Sequence, residues 1–408
     1  MSDLLLRHVR VLDVVAGSYL DDHDVLVRDG RVAAVGRGLT AEGVPERDLA
    51  GRTLLPGFID CHVHLLAVTA DLASLHTEAP MYVAAQSAGL MRDMLARGFT
   101  TVRDNGGADY GLAQAQADGL LAGPRVFFCG RALSQTGGHG DSRRRGQYVI
   151  DDHPHSPTMC RVADGVDGVR RAAREELRHG AHHIKIMVSG GVASPADEVD
   201  ATQYSLDEIR AVVEEAEAAH KYVSAHAYPP SAIQRALRCG VRSIEHGNLL
   251  DDPTTALLVE HGAFLTPTLT TYWALKHEGP QWGLPAVSHA KVDAVLDAGL
   301  DALDRAARAG VKLCYGTDLL GGMQRHQLRE FPIRAQVQSA VEVIRSATVY
   351  PAELLGRVGE LGVVAEGAHA DFVIVDGDPL ADISVLAPPG GVQLAVVQGG
   401  RLVVDNLQ

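Results

Sequence analysis

Apolar residues along this chain fall into two alternating textures. Short apolar runs near 57–64, 99–104, 125–130, 182–188, 222–227, 241–246, 262–267 and 311–316 have the length of buried β-strands. The stretches between them, including 82–97, 166–179, 205–219, 230–239, 252–261 and 287–309, carry apolar residues at helical spacing. Regular alternation of the two predicts a parallel sheet. Eight such units spread over ~300 residues fit a closed (β/α)8 barrel of the TIM type better than an open doubly wound sheet. No GxGxxG follows an early strand, which removes the usual dinucleotide-binding reading.

The chain ends have a different texture. Residues 4–14, 24–29 and 31–36 read as short strands, with Asp29 and Gly30 supplying a two-residue hairpin turn. Segments 370–379, 392–400 and 401–406 repeat that pattern, again with paired glycines at the turn. The expected architecture is therefore α/β, with a (β/α)8 barrel over 56–362 and a small composite β-sandwich built from 1–55 and 363–408.

Composition narrows the function. The 408 residues carry a formal charge of -14, which disfavours nucleic acid and anionic membrane surfaces as partners. The one dense basic cluster, Arg143 to Arg145, is too short to reverse that. Five scattered cysteines show neither a disulfide framework nor a CxxC clip. The N-terminus lacks the apolar core of a signal peptide, and no run approaches the ~20 apolar residues that span a bilayer. A soluble cytoplasmic protein acting on a small molecule is expected, as a homo-oligomer.

The chemistry is carried by the strand ends. GFIDCHVHL (57–65) places His62 and His64 on one strand face, which strict alternation shares with Asp60. HHIKIMVSGG (182–191), VSAHAY (223–228), VRSIEHGN (241–248) and KLCYGTD (312–318) then deliver Lys185, His226, His246 and Asp318 near the ends of later strands. Barrel enzymes build their sites at the C-terminal ends of the strands, so all six residues would converge on one mouth.

With these residues the chain resembles the amidohydrolase superfamily over its whole length. Within it, the TGGHGD loop (136–141), KIMVSGG and HAY are similar to the imidazolonepropionase-related group that includes Xaa-Pro dipeptidases and carboxypeptidase-like enzymes. The resemblance implies two divalent metal ions, with zinc suited to imidazole and carboxylate donors. His62, His64 and Asp318 would hold one ion and His226 and His246 the other. Lys185 would bridge them as a carbamate formed with carbon dioxide. An unmodified ammonium would repel a dication, whereas burial lowers a lysine's pKa and supplies the neutral amine that carboxylation needs. Metal coordination brings the pKa of bound water to about 7, and Asp318 would act as general base and then acid.

By the same resemblance His139 and Tyr228 would hold a substrate carboxylate, and Arg143 is a further candidate. The expected reaction is hydrolysis of the amide bond of a dipeptide or N-acyl amino acid with a free carboxylate, Xaa-Pro being the type. Alternatives are a cyclic-amide hydrolase of the imidazolonepropionase type, which would not need Lys185, a lactonase or organophosphate hydrolase, and a barrel that binds without turnover.

Other readings stand beside these. A lone lysine often runs its stem along a strand to solvent, an Asp after a strand often caps a helix, and a charge run is usually solvated. His139 could bond only its own loop, and Tyr228 could cap the mouth. Alternation sends the Cys61 thiol toward the helices as packing, and gives Asp60 a supporting rather than ligating role. Cys129 and Cys314 lie inside apolar strands. His182 and His183 sit at the wrong end of their strand, and His153, His155, His277 and His289 lack ligand spacing. The segment 267–286, which holds both tryptophans, reads as either a pocket wall or a surface lid.

Overall fold

The computed structural model describes residues 3–144, 146–148, 156–194 and 197–407; Arg145, His153 and His155 lie outside the described residues. Five strands open the chain, β1 (Leu4–Asp13), β2 (Ser18–Arg28), β3 (Arg31–Gly36), β4 (Glu46–Asp48) and β5 (Thr53–Pro56). Ten follow as β6 (Phe58–Val63), β7 (Phe99–Asp104), β8 (Arg125–Phe128), β9 (Ala132–Ser134), β10 (Cys160–Val162), β11 (Ile184–Met187), β12 (Val223–Ala227), β13 (Ser243–His246), β14 (Phe264–Thr266) and β15 (Lys312–Leu313). The last three are β16 (Phe372–Val375), β17 (Ala395–Gln398) and β18 (Arg401–Asp405).

The two chain ends share one sheet of order β18-β17-β16-β5-β1-β2-β3, with β4 against β1. The join is the antiparallel pair of β5 with β16, Leu55 facing Val373. Asp29 and Gly30, with φ of 49° and 76°, form the expected turn between β2 and β3, a conformation that suits Asp-Gly. Buried Leu6, Val9, Val25, Leu54, Phe372 and Val397 form this module's own core.

Between these ends the strand pairs among the described residues are parallel, with one isolated antiparallel bridge from Ser189 to Thr202. One sheet runs β6-β7-β8 and the other β10-β9-β11-β12-β13-β14-β15. Backbone bonds join their edges. His182 donates to the Phe128 carbonyl at 2.8 Å, and Cys61 and Asp318 tie the two ends by bonds to Tyr315 and His62, each 2.7 Å. The eight expected strands are β6, β7, β8 and β11 to β15, in sequence order. Short β9 and β10 sit in the long excursion after β8 and were not expected.

The intervening helices start where local chemistry lets them. Ser205 and Glu208 cap the helix Leu206–Ala218 reciprocally, and Asp251 caps Asp252–Glu260 through the Thr254 amide. Their apolar faces pack on the strands, with Ile209, Val212 and Val213 joining Val223, Ala225 and Ile244 in the main core. The stretch 287–309 is two helices, Ala286–His289 and Asp293–Arg308, not one. No helix among the described residues is long and apolar enough to cross a membrane.

Strand β6 departs from strict alternation. Its pairing with β7 shifts register between Asp60 and Val63. Cys61 packs as expected among apolar side chains, with Ile59, Phe127, Phe264 and Cys314 and with Ala352 and Leu354 of the helix Val349–Leu354. Asp60 instead accepts from the Thr317 hydroxyl at 2.6 Å and Gln327 Nε2 at 2.9 Å. Its other oxygen accepts from the backbone amides of His62 and Thr317 at 3.0 and 3.2 Å. Asp60 is structural, bracing the end of β6 against the segment after β15.

Candidate active site

All six candidate ligands border a single cavity of about 850 Å³. His62 and His64 stand at the end of β6, Lys185 in β11, His226 in β12, His246 at the last position of β13, and Asp318 just beyond β15. Donor atoms of His62, His246 and Asp318 lie within 4.8 Å of one another, close enough to share a cation. His64 Nε2 is 3.1 Å and His62 Nε2 3.6 Å from Asp318 Oδ1. The His226 ring is centred 4.6 Å from that of His246, and His246 4.9 Å from His62. His246 and Asp318 have φ of 76° and 49°. Left-handed backbone at a non-glycine residue costs about 1–3 kcal/mol and is concentrated at functional sites.

Each of the four imidazoles is held through one nitrogen. His62 Nδ1 meets Glu245 Oε2 at 2.9 Å, His64 Nδ1 the Gly106 carbonyl at 3.0 Å, His246 Nδ1 the Thr268 hydroxyl at 2.8 Å, and His226 Nε2 the Gly190 carbonyl at 3.0 Å. Such bonds fix ring orientation, and in His62, His226 and His246 they leave the other nitrogen with its lone pair, as metal-binding histidines require, while His64 Nε2 faces Asp318. Burial pushes His62 down to about 4 and holds His226 and His246 well below the usual imidazole range, so these three rings are neutral; at His64 burial is outweighed by the Asp318 carboxylate, which raises it.

Lys185 is 1% exposed and makes no hydrogen bond or ion pair with another described residue. Burial lowers its pKa, as does the neighbouring Arg103 guanidinium, against the opposing charge of Glu245. Burial opposes ionisation of Asp318 too, but the imidazoles of His62, His64 and His246 outweigh it and hold the carboxyl below its ordinary value. The donor set therefore fits divalent metal: imidazole nitrogens, an ionised carboxylate and a buried lysine in no direct ion pair.

Beneath them lies an ion pair the sequence did not announce. Glu245 accepts from Arg103 Nη2 at 2.8 Å on both oxygens, and from Ser224 and Ser243 at 2.9 and 2.6 Å, with both charged side chains fully buried. Glu245 precedes His246 in the quoted VRSIEHGN run. Its role depends on Arg103, 142 positions away, so no local motif could reveal it.

Of the expected substrate contacts, His139 and Tyr228 both line the cavity. The His139 ring stacks on His226 with centroids 4.1 Å apart. The Tyr228 hydroxyl accepts from Tyr272 at 3.1 Å, which leaves its own proton to donate. Arg143 is committed to Asp141, Nε to Oδ1 at 2.8 Å, and Arg144 is the arginine that borders the cavity. Thr271, Tyr272, Leu275 and Pro285 make segment 267–286 a wall rather than a surface lid. His182 accepts from the Phe128 amide, His183 bonds Asn105, and His277 and His289 bond helix carbonyls.

The model of the Amidohydrolase family matches residues 53–402. Ochratoxinase from Aspergillus niger is 34% identical over 363 residues, covering 86% of this chain and 75% of that protein. A crystal structure of a prolidase complexed with N-methylphosphonate-L-proline shares 50% identity and a TM-score of 0.96, over 98% of this chain and 99% of the other. A Xaa-Pro dipeptidase with bound methionine in its active site shares 28% identity and a TM-score of 0.86, over 98% and 99%.

Proposed function

The chain belongs to the amidohydrolase family, and from that membership we propose that it hydrolyses the amide bond of a dipeptide or N-acyl amino acid carrying a free carboxylate, of the Xaa-Pro type. The observation that carries this reading is the set of four buried imidazoles, each tied through one nitrogen and gathered with Lys185 and Asp318 around one cavity. Prolidase and ochratoxinase among the similar proteins support an amide as the bond cleaved.

The backbone bonds between β8 and β11 and between β15 and β6 support reading β6 to β8 with β11 to β15 as a closed barrel. Residues 56–362 would form this catalytic barrel, and 1–55 with 363–408 the composite β-sandwich.

His62, His64 and Asp318 would hold one divalent ion, zinc being suited to these donors, and His226 and His246 a second, with Lys185 carboxylated between them. When bound, such a pair lowers the pKa of a water to about 7 and polarises the scissile carbonyl. Asp318, ionised at neutral pH, accepts the proton of the attacking water and returns it to the departing amine nitrogen. Products are then one carboxylic acid and one amine. Tyr228 donates its free hydroxyl proton to the substrate carboxylate, with His139 beside it. Walls from Met159, Val192, Leu275 and Leu320 exclude water around the acyl group.

The test is turnover of the metal-loaded protein on Xaa-Pro and other dipeptides, N-acyl amino acids, cyclic amides and lactones. Cleavage concentrated on carboxylate-bearing amides is expected. Activity confined to lactones or cyclic amides would overturn the substrate assignment.

A further inference from the structure

Lys291 lies where helical periodicity runs on without interruption, yet the structure breaks the helix between His289 and Asp293. At the break its side chain turns inward and is only 13% exposed. Nζ donates to the carbonyls of Gly191, Ser194 and Asp197 at 3.0, 2.9 and 2.6 Å, with Asp197 Oδ1 at 3.4 Å. An ammonium has three N–H bonds, and three carbonyls use them all. Lys291 borders the cavity but has no donor left for a substrate carboxylate. It fastens three points of the segment that follows β11.

That segment holds His139. Ser194 Oγ lies 3.0 Å from His139 Nδ1 and bonds Asp197 Oδ1 on its other side. Asp197 Oδ2 accepts from Gln203 Nε2 at 2.8 Å, and Gln203 Oε1 accepts from the His139 amide at 2.9 Å. The four residues close a ring of hydrogen bonds that grips His139 at both its imidazole and its backbone. Because the Ser194 proton goes to the Asp197 carboxylate or the Gly191 carbonyl, its oxygen accepts from His139 Nδ1–H, which fixes the tautomer. The imidazole is also confined sterically. It stacks on His226, and a Cβ at Gly191 would lie 2.2 Å from the ring.

We propose that Lys291 is a positioning residue for substrate selection. By bonding the carbonyls of Gly191, Ser194 and Asp197 it lets Asp197 and Ser194 hold His139 in the one orientation that favours amides with a free carboxylate. The inference rests on the proposed function only in assigning the carboxylate to His139.

The experiment measures kcat and KM for an N-acyl amino acid and for the same compound as its C-terminal carboxamide. Wild type, Lys291→Met, Ser194→Ala and Lys276→Met are compared. Lys276 pairs with Asp293 at 2.6 Å on a neighbouring helix and serves as the control for losing an ammonium. Wild type and Lys276→Met are expected to prefer the free acid. Lys291→Met and Ser194→Ala are expected to cut the acid-to-carboxamide ratio of kcat/KM by about tenfold or more, carried by KM for the acid rather than by kcat. Should Lys291→Met fail to fold, Ser194→Ala, which removes a single hydroxyl, decides the matter. A wild-type preference that both variants retain would overturn the inference and leave the proposed function standing. A wild type indifferent to the carboxylate would overturn both.

Discussion

Replacing Glu245 by glutamine probes how the site is held together. The change keeps shape and removes one charge. Arg103 would retain only neutral partners among the described residues, the Cys61 carbonyl at 2.6 Å and the Ser243, Thr266 and Tyr222 hydroxyls at 3.3, 3.4 and 3.5 Å, while remaining fully buried. Breaking a buried pair from one side costs about 3–5 kcal/mol, because the surviving charge is uncompensated. A domain stable by about 5–15 kcal/mol survives that loss at 25 °C but unfolds at clearly lower denaturant. The carboxylate on His62 Nδ1 disappears as well, and loss of such a partner weakens metal affinity by about 10–100-fold. The assay is urea unfolding of the metal-stripped protein, paired with metal retention against a competing chelator. Adding Arg103→Met should recover part of the stability, since the orphaned charge goes with it, but none of the metal affinity. A Glu245→Gln protein within about 1 kcal/mol of wild type that holds metal equally well would refute the reasoning.

Four further outcomes are expected. Lys185→Ala should lose one or both metals together with most activity, and unchanged metal content with normal turnover would remove the carbamate. Asp318→Asn should keep the melting temperature but lower kcat by about 10²–10⁴-fold, the usual weight of a general acid–base residue; a near-normal rate would reassign the base. Gly191→Ala drives a methyl into the His139 ring and should raise KM for carboxylate substrates, with about 1–3 kcal/mol lost to overpacking. Burial lowers His182 to about 4, from an unfolded value of 6.5, so the unfolded chain binds a proton there that the folded protein does not. Stability should therefore fall as pH drops from 6.5 to 4, by about 2 kcal/mol once partial solvent contact is allowed for. Urea titrations of wild type and His182→Gln at both pH values isolate that contribution.

Why the parallel strands and the polar strand ends were legible follows from their physics. Period and length are local properties, and a histidine ending a strand keeps its place whatever the rest of the chain does. The turn at Asp29 and Gly30 is local in the same sense. What depended on distant partners was hidden. The register shift in β6 was hidden, because pairing with β7 rather than the strand's own sequence sets that register. Arg143 and Arg144 are indistinguishable as sequence, and only the neighbouring Asp141 decides which one reaches the cavity. The helix break at Lys291 is invisible to periodicity, since the carbonyls that draw its ammonium inward belong to residues 94 to 100 positions earlier. Tyr272 has the apolar spacing of an ordinary helix residue, and its bond to Tyr228 spans 44 positions.

The measurement that bears most directly on the account is a titration of the metal-stripped protein with zinc, following turnover of an Xaa-Pro dipeptide and metal bound per chain in the same samples. No hydrolysis is expected without metal, and activity should rise to a plateau at about two ions per chain. Full turnover by the stripped protein, or saturation with metal and no cleavage of any carboxylate-bearing amide, would contradict it.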